Sequence, residues 1–178
     1  MASTAVGSAD PRISSWLMVF SYLLCGVGFA IGFSQIGDGG AEAIGPVAVL
    51  SVGALGIVSF VRHSIFHRSD AARMKWDYGR TNNFQIEAGF ANLAWGLVAI
   101  AAVIWGWGVA AEAAVTGVFG IYLLGAGILH SLDRGGGPDG GRQSGKTLIT
   151  AGFFTLITAG CLLFFAIAAL CDASIGPF

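Results

Sequence analysis

The stretch from Asn82 to Gly96 carries the polar side chains with the clearest potential for chemistry in the sequence. It opens a long apolar segment, yet it contains Gln85, Glu87 and Asn92. A carboxylate and two amides beside hydrocarbon cost free energy unless hydrogen bonds or charges satisfy them. These residues are therefore candidates for a binding site, with Glu87 as its ionisable centre. The plainer alternative is that Glu87 complements the helix dipole in a first turn.

Three histidines and an aspartate have spacings that could add to this set. His63 and His67 stand four residues apart, and His130 and Asp133 stand three apart, so each pair would share a helix face. Together with Glu87, these histidines and the aspartate are residue types that could bind a metal ion. The favoured interpretation is a hydrogen-bonded polar cluster without metal. Unconnected residues at the membrane edge are the third possibility.

One segment matches a nucleotide-binding pattern letter for letter. Gly140–Thr147 reads Gly-Gly-Arg-Gln-Ser-Gly-Lys-Thr and fits G-x-x-x-x-G-K-[ST]. That loop binds phosphate when a strand precedes it and a helix follows. Here a glycine-rich segment precedes it, and the following helix is apolar throughout. We therefore predict no nucleotide and interpret Lys146 as a charge near lipid headgroups.

Composition indicates the kind of protein that positions these residues. Of 178 residues, 55% are hydrophobic and 11% charged, whereas soluble proteins contain about 25% charged residues. Five long windows carry few charges, and each could cross about 30 Å of hydrocarbon. We predict a single all-α integral membrane domain, a five-transmembrane-helix bundle in the lipid bilayer. Its helices lie at about 15–33, 46–66, 84–105, 109–130 and 147–170.

The remaining segments are predicted to be a flexible tail at 1–10 and loops at 67–81 and 131–146. Within the first of these loops, Ser69 and Asp70 followed by two alanines and Arg73 could cap a short helix on the membrane surface. In the first window, Gly28 and Gly32 have the G-x-x-x-G spacing that favours close helix packing. The formal net charge of −1 gives no indication of a nucleic-acid partner.

The basic residues predict an orientation. All nine lysines and arginines fall near the amino terminus or around the connections between helices two and three and between helices four and five. Lysine and arginine accumulate on the cytoplasmic side of membranes. We therefore expect a cytoplasmic amino terminus, an outside carboxyl terminus and cytoplasmic loops at 67–81 and 131–146. His63, Glu87 and His130 would then share the cytoplasmic edge of the bundle.

Helical geometry limits a site built on the third helix alone. Gln85 and Asn92 share a face, whereas Glu87 points about 140° away from Asn92. Either this helix is central and contacts neighbours on both sides, or only one of these groups lines a site.

Several of these residues also carry a resemblance to a known family. The residues that carry it are Phe84-Gln85-x-Glu87-x-Gly89-x-Ala91-Asn92-Leu93-Ala94-x-Gly96, with His63 upstream and Gly125-Ala126-Gly127-x-x-His130 downstream. Over His63–Lys146 the chain resembles a family of small uncharacterised bacterial membrane proteins that is loosely DoxX-like. The resemblance implies a compact helical bundle in a bacterial inner membrane and a shared polar set. It implies no activity, and quinone or thiol redox chemistry is only an analogy.

Together these observations predict a polar cluster at the cytoplasmic side that binds a small molecule, a lipid headgroup or a quinone. The candidate ligand-binding residues are Glu87, His63, His130, Gln85 and Asn92. The sequence identifies no cofactor and leaves open whether a reaction is catalysed.

The alternative is a non-catalytic accessory or structural subunit of a larger membrane complex. Its contact surfaces, to other subunits or to a second copy, would be the exposed faces of windows one and five. The phenylalanines on the fifth window are Phe153, Phe154, Phe164 and Phe165.

Overall fold

Helices form all the regular structure in the described part of the chain, as predicted. The computed structural model describes residues 9–76, 81–132 and 145–175. Its elements are α1 (Pro11–Gln35), α2 (Gly40–Ile65), α3 (His67–Arg73), α4 (Asn83–Ile104), α5 (Val109–Leu132) and α6 (Gly145–Ile175). Within α2, Val47–Ala54 and Val61–Ile65 are π-helical.

Five helices in the described ranges are long and apolar enough to cross a membrane. They are Pro11–Gln35, Gly40–Ile65, Asn83–Ile104, Val109–Leu132 and Gly152–Ala173. The predicted class and number of membrane-crossing helices are thereby confirmed by length and composition. Residues 1–8, most of the predicted flexible tail, lie outside the described residues, as do 77–80 and 133–144 of the two predicted loops.

The second membrane helix, and not the third, is the central element of the bundle. Half of the most apolar window of α2 is buried, against 22–33% for the other four helices. It packs against α1, α4, α5 and α6. The sequence supports this position because α2 has small residues at its crossings. The possibility that the third helix is central was therefore wrong.

Glycines set the close approach of α2 to its neighbours. A β-carbon at Gly56 would lie 2.5 Å from the Asn92 carbonyl oxygen and 3.1 Å from the Gly96 Cα atom of α4. On α1, both Gly28 and Gly32 are buried against residues of α2. Their predicted role in close packing is confirmed. Side chains at these crossings would force the helix backbones apart.

The apolar core lies between α2, α5 and α6. Ile44 and Val47 of α2 pack there with Phe119 of α5 and with Leu162 and Phe165 of α6, all of them 0% exposed. The expected contact surface on the fifth window therefore needs correction, because Phe165 points inward. The other three phenylalanines of that set, Phe153, Phe154 and Phe164, are about half exposed.

Candidate functional site

A buried aspartate organises one end of the bundle. The chain leaves α2 through Phe66, whose backbone breaks the helix, and enters the seven-residue α3. Asp70 in the middle of α3 is 0% exposed, because α3 lies against α1 and the end of α2. A fully buried carboxylate in so short a helix requires several partners.

Those partners come from four helices and satisfy both carboxylate oxygens. Oδ1 accepts hydrogen bonds from Ser14 Oγ at 2.5 Å and from Arg73 Nη2 at 3.0 Å. Oδ2 accepts from His63 Nδ1 at 2.8 Å and from Gln85 Nε2 at 2.9 Å. Arg62 Nε lies 3.8 Å from Oδ1. We call these six residues the Asp70 cluster: Ser14, Arg62, His63, Asp70, Arg73 and Gln85.

Hydrogen-bond chemistry assigns the protonation of His63. A guanidinium can only donate, so Arg62 Nη2, 2.8 Å from His63 Nε2, makes that ring nitrogen an acceptor. The proton of a neutral imidazole is then on Nδ1, which donates to Asp70. His63 is therefore a neutral link between Arg62 and Asp70.

The surrounding cations keep Asp70 ionised. Burial by itself raises the pKa of this carboxyl, but the charge of Arg62, the hydrogen bond from His63 and the charge of Arg73 outweigh it. The pKa of Asp70 therefore lies well below its usual range. Ser14 also accepts from Arg73 Nε at 3.0 Å, which ties α1 to both members of the ion pair.

Local structure places each member of the cluster. The π-helical segment Val61–Ile65 carries Arg62 and His63 to the end of α2, and such segments are frequent at functional sites. At the start of α4, the Asn82 side chain caps the helix by accepting from the Gln85 amide at 3.2 Å. The cap places Gln85 in the first turn, where its side chain reaches Asp70.

A polar cavity lies inside the bundle next to the cluster, with Arg62 and His63 in its wall. It encloses about 80 Å³, and all five membrane-crossing helices contribute to it. Ten of its thirteen lining residues are polar. These are Ser21, Tyr22, Ser59, Arg62, His63, Asn92, Tyr122, His130, Thr155 and Thr158. Leu55, Leu123 and Ala126 complete the wall.

Four of the five predicted binding residues lie at these two features. His63 belongs to both, Gln85 to the Asp70 cluster, and Asn92 and His130 to the cavity wall. Asn92 also donates to the Ala88 carbonyl oxygen at 2.8 Å. Whether any of them binds a ligand stays a prediction.

Glu87, the expected centre, does not join them. Its side chain is exposed and does not line the cavity. Two residues along a helix rotate the side chain by about 200°, so Gln85 turned inward places Glu87 on the opposite side. The carboxylate at the centre of the hydrogen-bonded cluster is Asp70 and not Glu87.

The candidate metal ligands do not converge within the described part of the chain. No three histidine, cysteine, aspartate or glutamate side chains there are arranged to hold a metal ion. The His67 ring instead uses Nδ1 to donate to the Ser64 carbonyl oxygen at 3.0 Å. Asp133 lies outside the described residues. Residues 140–144, which form the first part of the phosphate-loop pattern, also lie outside them.

Sequence reasoning missed the anchor of the cluster. Asp70 stands in the most charged segment of the chain, a context that indicates solvent exposure. The available signal was the spacing of Asp70 and Arg73, which places an ion pair on one helix face. The pairing of Ser14 and Gln85 with the same carboxylate has no sequence signal, because it depends on how α1, α3 and α4 meet.

Fold and composition together define the chain as a membrane-type helical protein whose charged residues concentrate at one end of the bundle. Its residues 43–166, more than half of the chain, match DUF6790, a family of unknown function. The chain belongs to that family. No curated protein and no solved structure matches it significantly.

Proposed function

We propose that this protein is a membrane binding protein that takes a small polar ligand, or the polar head of a larger one, in the cavity inside the bundle. The observation that carries the proposal is the lining of that cavity, which draws polar side chains from all five membrane-crossing helices. The site differs from the sequence prediction in its centre, which is Arg62 and His63 in place of Glu87.

The cost of polar groups in a membrane supports this proposal. Hydroxyl, amide, imidazole and guanidinium groups inside a bundle are unfavourable unless they are satisfied. A purely structural core at this position would use apolar side chains, as the core around Phe119 and Phe165 does. Some of these groups bond within the protein, as Tyr22 does with Thr155 and Asn92 with the Ala88 carbonyl oxygen. A ligand with several hydrogen-bonding atoms would add to these bonds and would also satisfy Arg62 Nε.

The volume limits what the cavity can enclose. Drug-sized ligands occupy pockets of about 300–1,000 Å³, whereas this cavity encloses about 80 Å³. It suits a group of a few heavy atoms or several waters. A complete quinone ring with its substituents is a poorer fit than a small polar head.

We also propose the orientation and location that the basic residues predict. Arg12, Arg62, Arg68 and Arg73 lie at the same end of the bundle as the Asp70 cluster. This end is cytoplasmic under the positive-inside rule. The cavity beside Arg62 then lies in the cytoplasmic half of a cell membrane, and a bacterial inner membrane is the proposed location.

A structural role in a larger complex has weaker support. The exposed phenylalanines of α6 suit a lipid bilayer as well as a protein partner. The loose resemblance to DoxX-like proteins adds no ligand. We therefore propose neither a partner subunit nor a reaction.

Filling the cavity tests the proposal. Ala126 lines it, so Ala126→Leu would place three additional carbon atoms in the space. The matched control is Ala114→Leu, an exposed position on the same helix. Native mass spectrometry of protein released from mild detergent should detect a small non-covalent adduct on the wild type and on Ala114→Leu, and none on Ala126→Leu. Identical spectra for all three proteins would contradict a ligand in this cavity.

A further inference from the structure

Within the described part of the chain, one positive charge at the wall of the cavity lacks a hydrogen-bonded counterion. The Asp70 cluster contains two guanidinium groups and one carboxylate. Arg73 donates to Asp70 Oδ1 from Nη2 at 3.0 Å and from Nε at 3.2 Å. Arg62 Nε is 3.8 Å from that oxygen, beyond hydrogen-bond distance. Arg73 is therefore the direct counterion of Asp70, and the charge of Arg62 is in excess.

Arg62 also retains an unsatisfied donor. Its Nη2 group donates to His63, while its Nε atom is buried and has no hydrogen-bond partner among residues 9–76, 81–132 and 145–175. The side chain is 15% exposed, so water has little access to it. A buried cation without a full set of acceptors is costly, and this side chain lines the cavity.

No carboxylate is present among the described residues that line the cavity. Its other polar groups are hydroxyls, an amide and imidazoles. Hydroxyl groups can donate to an anionic oxygen as well as accept. The lining therefore offers positive charge and hydrogen-bond donors, without a negative charge that would repel an anion.

We infer that the cavity binds an anionic oxygen group, a carboxylate or a phosphate, through the guanidinium of Arg62. This inference rests on the proposed function and specifies the chemical class of its ligand. Charge-assisted hydrogen bonds from arginine to such oxygens are about twice as strong as neutral ones. The volume of about 80 Å³ accommodates a single small acidic group, carried either by a soluble molecule or by a lipid.

Charge-matched probes test this inference on the wild-type protein. The measurement is the midpoint of thermal unfolding in neutral detergent as a function of probe concentration, with Ala126→Leu as the reference for non-specific solute effects. Acetate and inorganic phosphate are the anionic probes, acetamide is the neutral isostere of acetate, and methylammonium is the cationic probe. At least one anionic probe should stabilise the wild type saturably, with no such effect on Ala126→Leu.

The variant pair Arg62→Gln and Arg68→Gln separates the charge at the cavity wall from an exposed charge at the same end of the bundle. Loss of a charged hydrogen-bonding partner should weaken binding of the anionic probe by about tenfold or more in Arg62→Gln. Arg68→Gln removes an exposed positive charge and changes no lining residue, so its probe affinity should stay within about threefold of the wild type. If Arg62→Gln does not fold, the comparison of acetate with acetamide on the wild type decides the question.

Octanoate and dioctanoyl phosphatidic acid distinguish the sources of the acidic group. If these two compounds bind much more tightly than acetate or phosphate, the acidic group belongs to a lipid. If they bind with the same affinity as acetate or phosphate, the ligand is a soluble molecule. Both results support the inference. Stabilisation by acetamide or methylammonium, but not by the anions, would overturn it and leave a polar binding site. If no probe distinguishes the wild type from Ala126→Leu, both the inference and the proposed function are wrong.

Discussion

At the scale of single residues, Asp70 is the side chain that joins the helices at one end of the bundle. It accepts hydrogen bonds from Ser14, His63, Arg73 and Gln85. These partners belong to α1, α2, α3 and α4. One carboxylate thus ties three membrane-crossing helices to the short helix α3.

Removal of that charge should therefore destabilise the fold. In Asp70→Asn, two arginines of intermediate burial lose the charge of a fully buried carboxylate, and breaking a buried ion pair costs about 3–5 kcal/mol. The measurement is unfolding in detergent with increasing denaturant. Glu87→Gln is the matched control because Glu87 is exposed, and surface changes stay within about 0.5 kcal/mol. Equal loss in both variants would contradict the assigned centre.

The pH dependence of stability gives a second prediction for the same residue. The folded protein holds the pKa of Asp70 well below its ordinary value of 3.8. Its stabilisation is therefore complete above that ordinary value and is lost as the pH falls toward the folded pKa. The difference in unfolding temperature between the wild type and Asp70→Asn should shrink between about pH 6 and about pH 3. A constant difference over this range would argue against an ionised, stabilising Asp70.

Part of the residue-level picture was accessible from the sequence. Polar residues in apolar windows must be satisfied, and this rule selected His63, Gln85, Asn92 and His130, all of which lie at the cluster or the cavity. The same rule also selected Glu87, which is exposed. Hydropathy along the sequence does not show which residues in the first turns of α4 face the lipid and which face the inside of the bundle. Asp70 escaped the rule because it stands outside the apolar windows.

At the scale of elements, glycine spacing determines where the helices meet. The crossing of α2 and α4 brings Gly56 against Gly96 and the Asn92 carbonyl group. This contact also fixes the position of Asn92, whose side chain lines the cavity. Packing of backbone on backbone therefore shapes the site.

A methyl group at this crossing should separate the two helices. Gly56→Ala places a carbon atom 2.5 Å from a backbone oxygen, and overpacking of this kind costs about 1–3 kcal/mol. Gly26→Ala on α1 is the control, since a β-carbon there would meet no atom within 4 Å. It should be neutral or slightly stabilising because alanine favours helix. Thermal unfolding of the two variants in detergent provides the comparison, and an unfolding temperature of Gly56→Ala at or above that of Gly26→Ala would refute the assigned contact.

The elements were more predictable than their arrangement. Runs of apolar residues identified five membrane-crossing helices because hydrocarbon thickness fixes their length. The sequence did not predict which helix is most buried, because every apolar window is apolar on most sides. Small residues at several helix crossings decide which helix lies at the centre of the bundle. The π-helical segments of α2 likewise follow from packing and have no signal in the composition.

At the scale of the whole molecule, the distribution of basic residues predicts which end of the bundle faces the cytoplasm. Asp38, in the connection between α1 and α2, and Arg68, in α3, are both exposed and lie at opposite ends of α2. In a cysteine-free background, a membrane-impermeant maleimide should label Asp38→Cys in intact cells. It should label Arg68→Cys only after permeabilisation. The reverse pattern would place the Asp70 cluster outside.

The charge distribution within the molecule also explains why a ligand is expected at only one end. The described ionic network lies at the end of α2 that carries Arg62. At the opposite end, Asp172 accepts hydrogen bonds from the Gly40 and Ala41 amides and thereby caps the start of α2. That contact satisfies the first turn of a helix, whereas the described ion pairs lie at the Arg62 end.

The central claim is that the cavity beside Arg62 is a ligand site, and an experimental density map tests it most directly. The protein would be purified in mild detergent with saturating acetate or phosphate and its structure determined at a resolution that separates a bound acidic group from water. The account predicts density for that group within hydrogen-bond distance of the Arg62 guanidinium. A cavity that has collapsed, or one in which Arg62 bonds only to protein and ordered water, would contradict it.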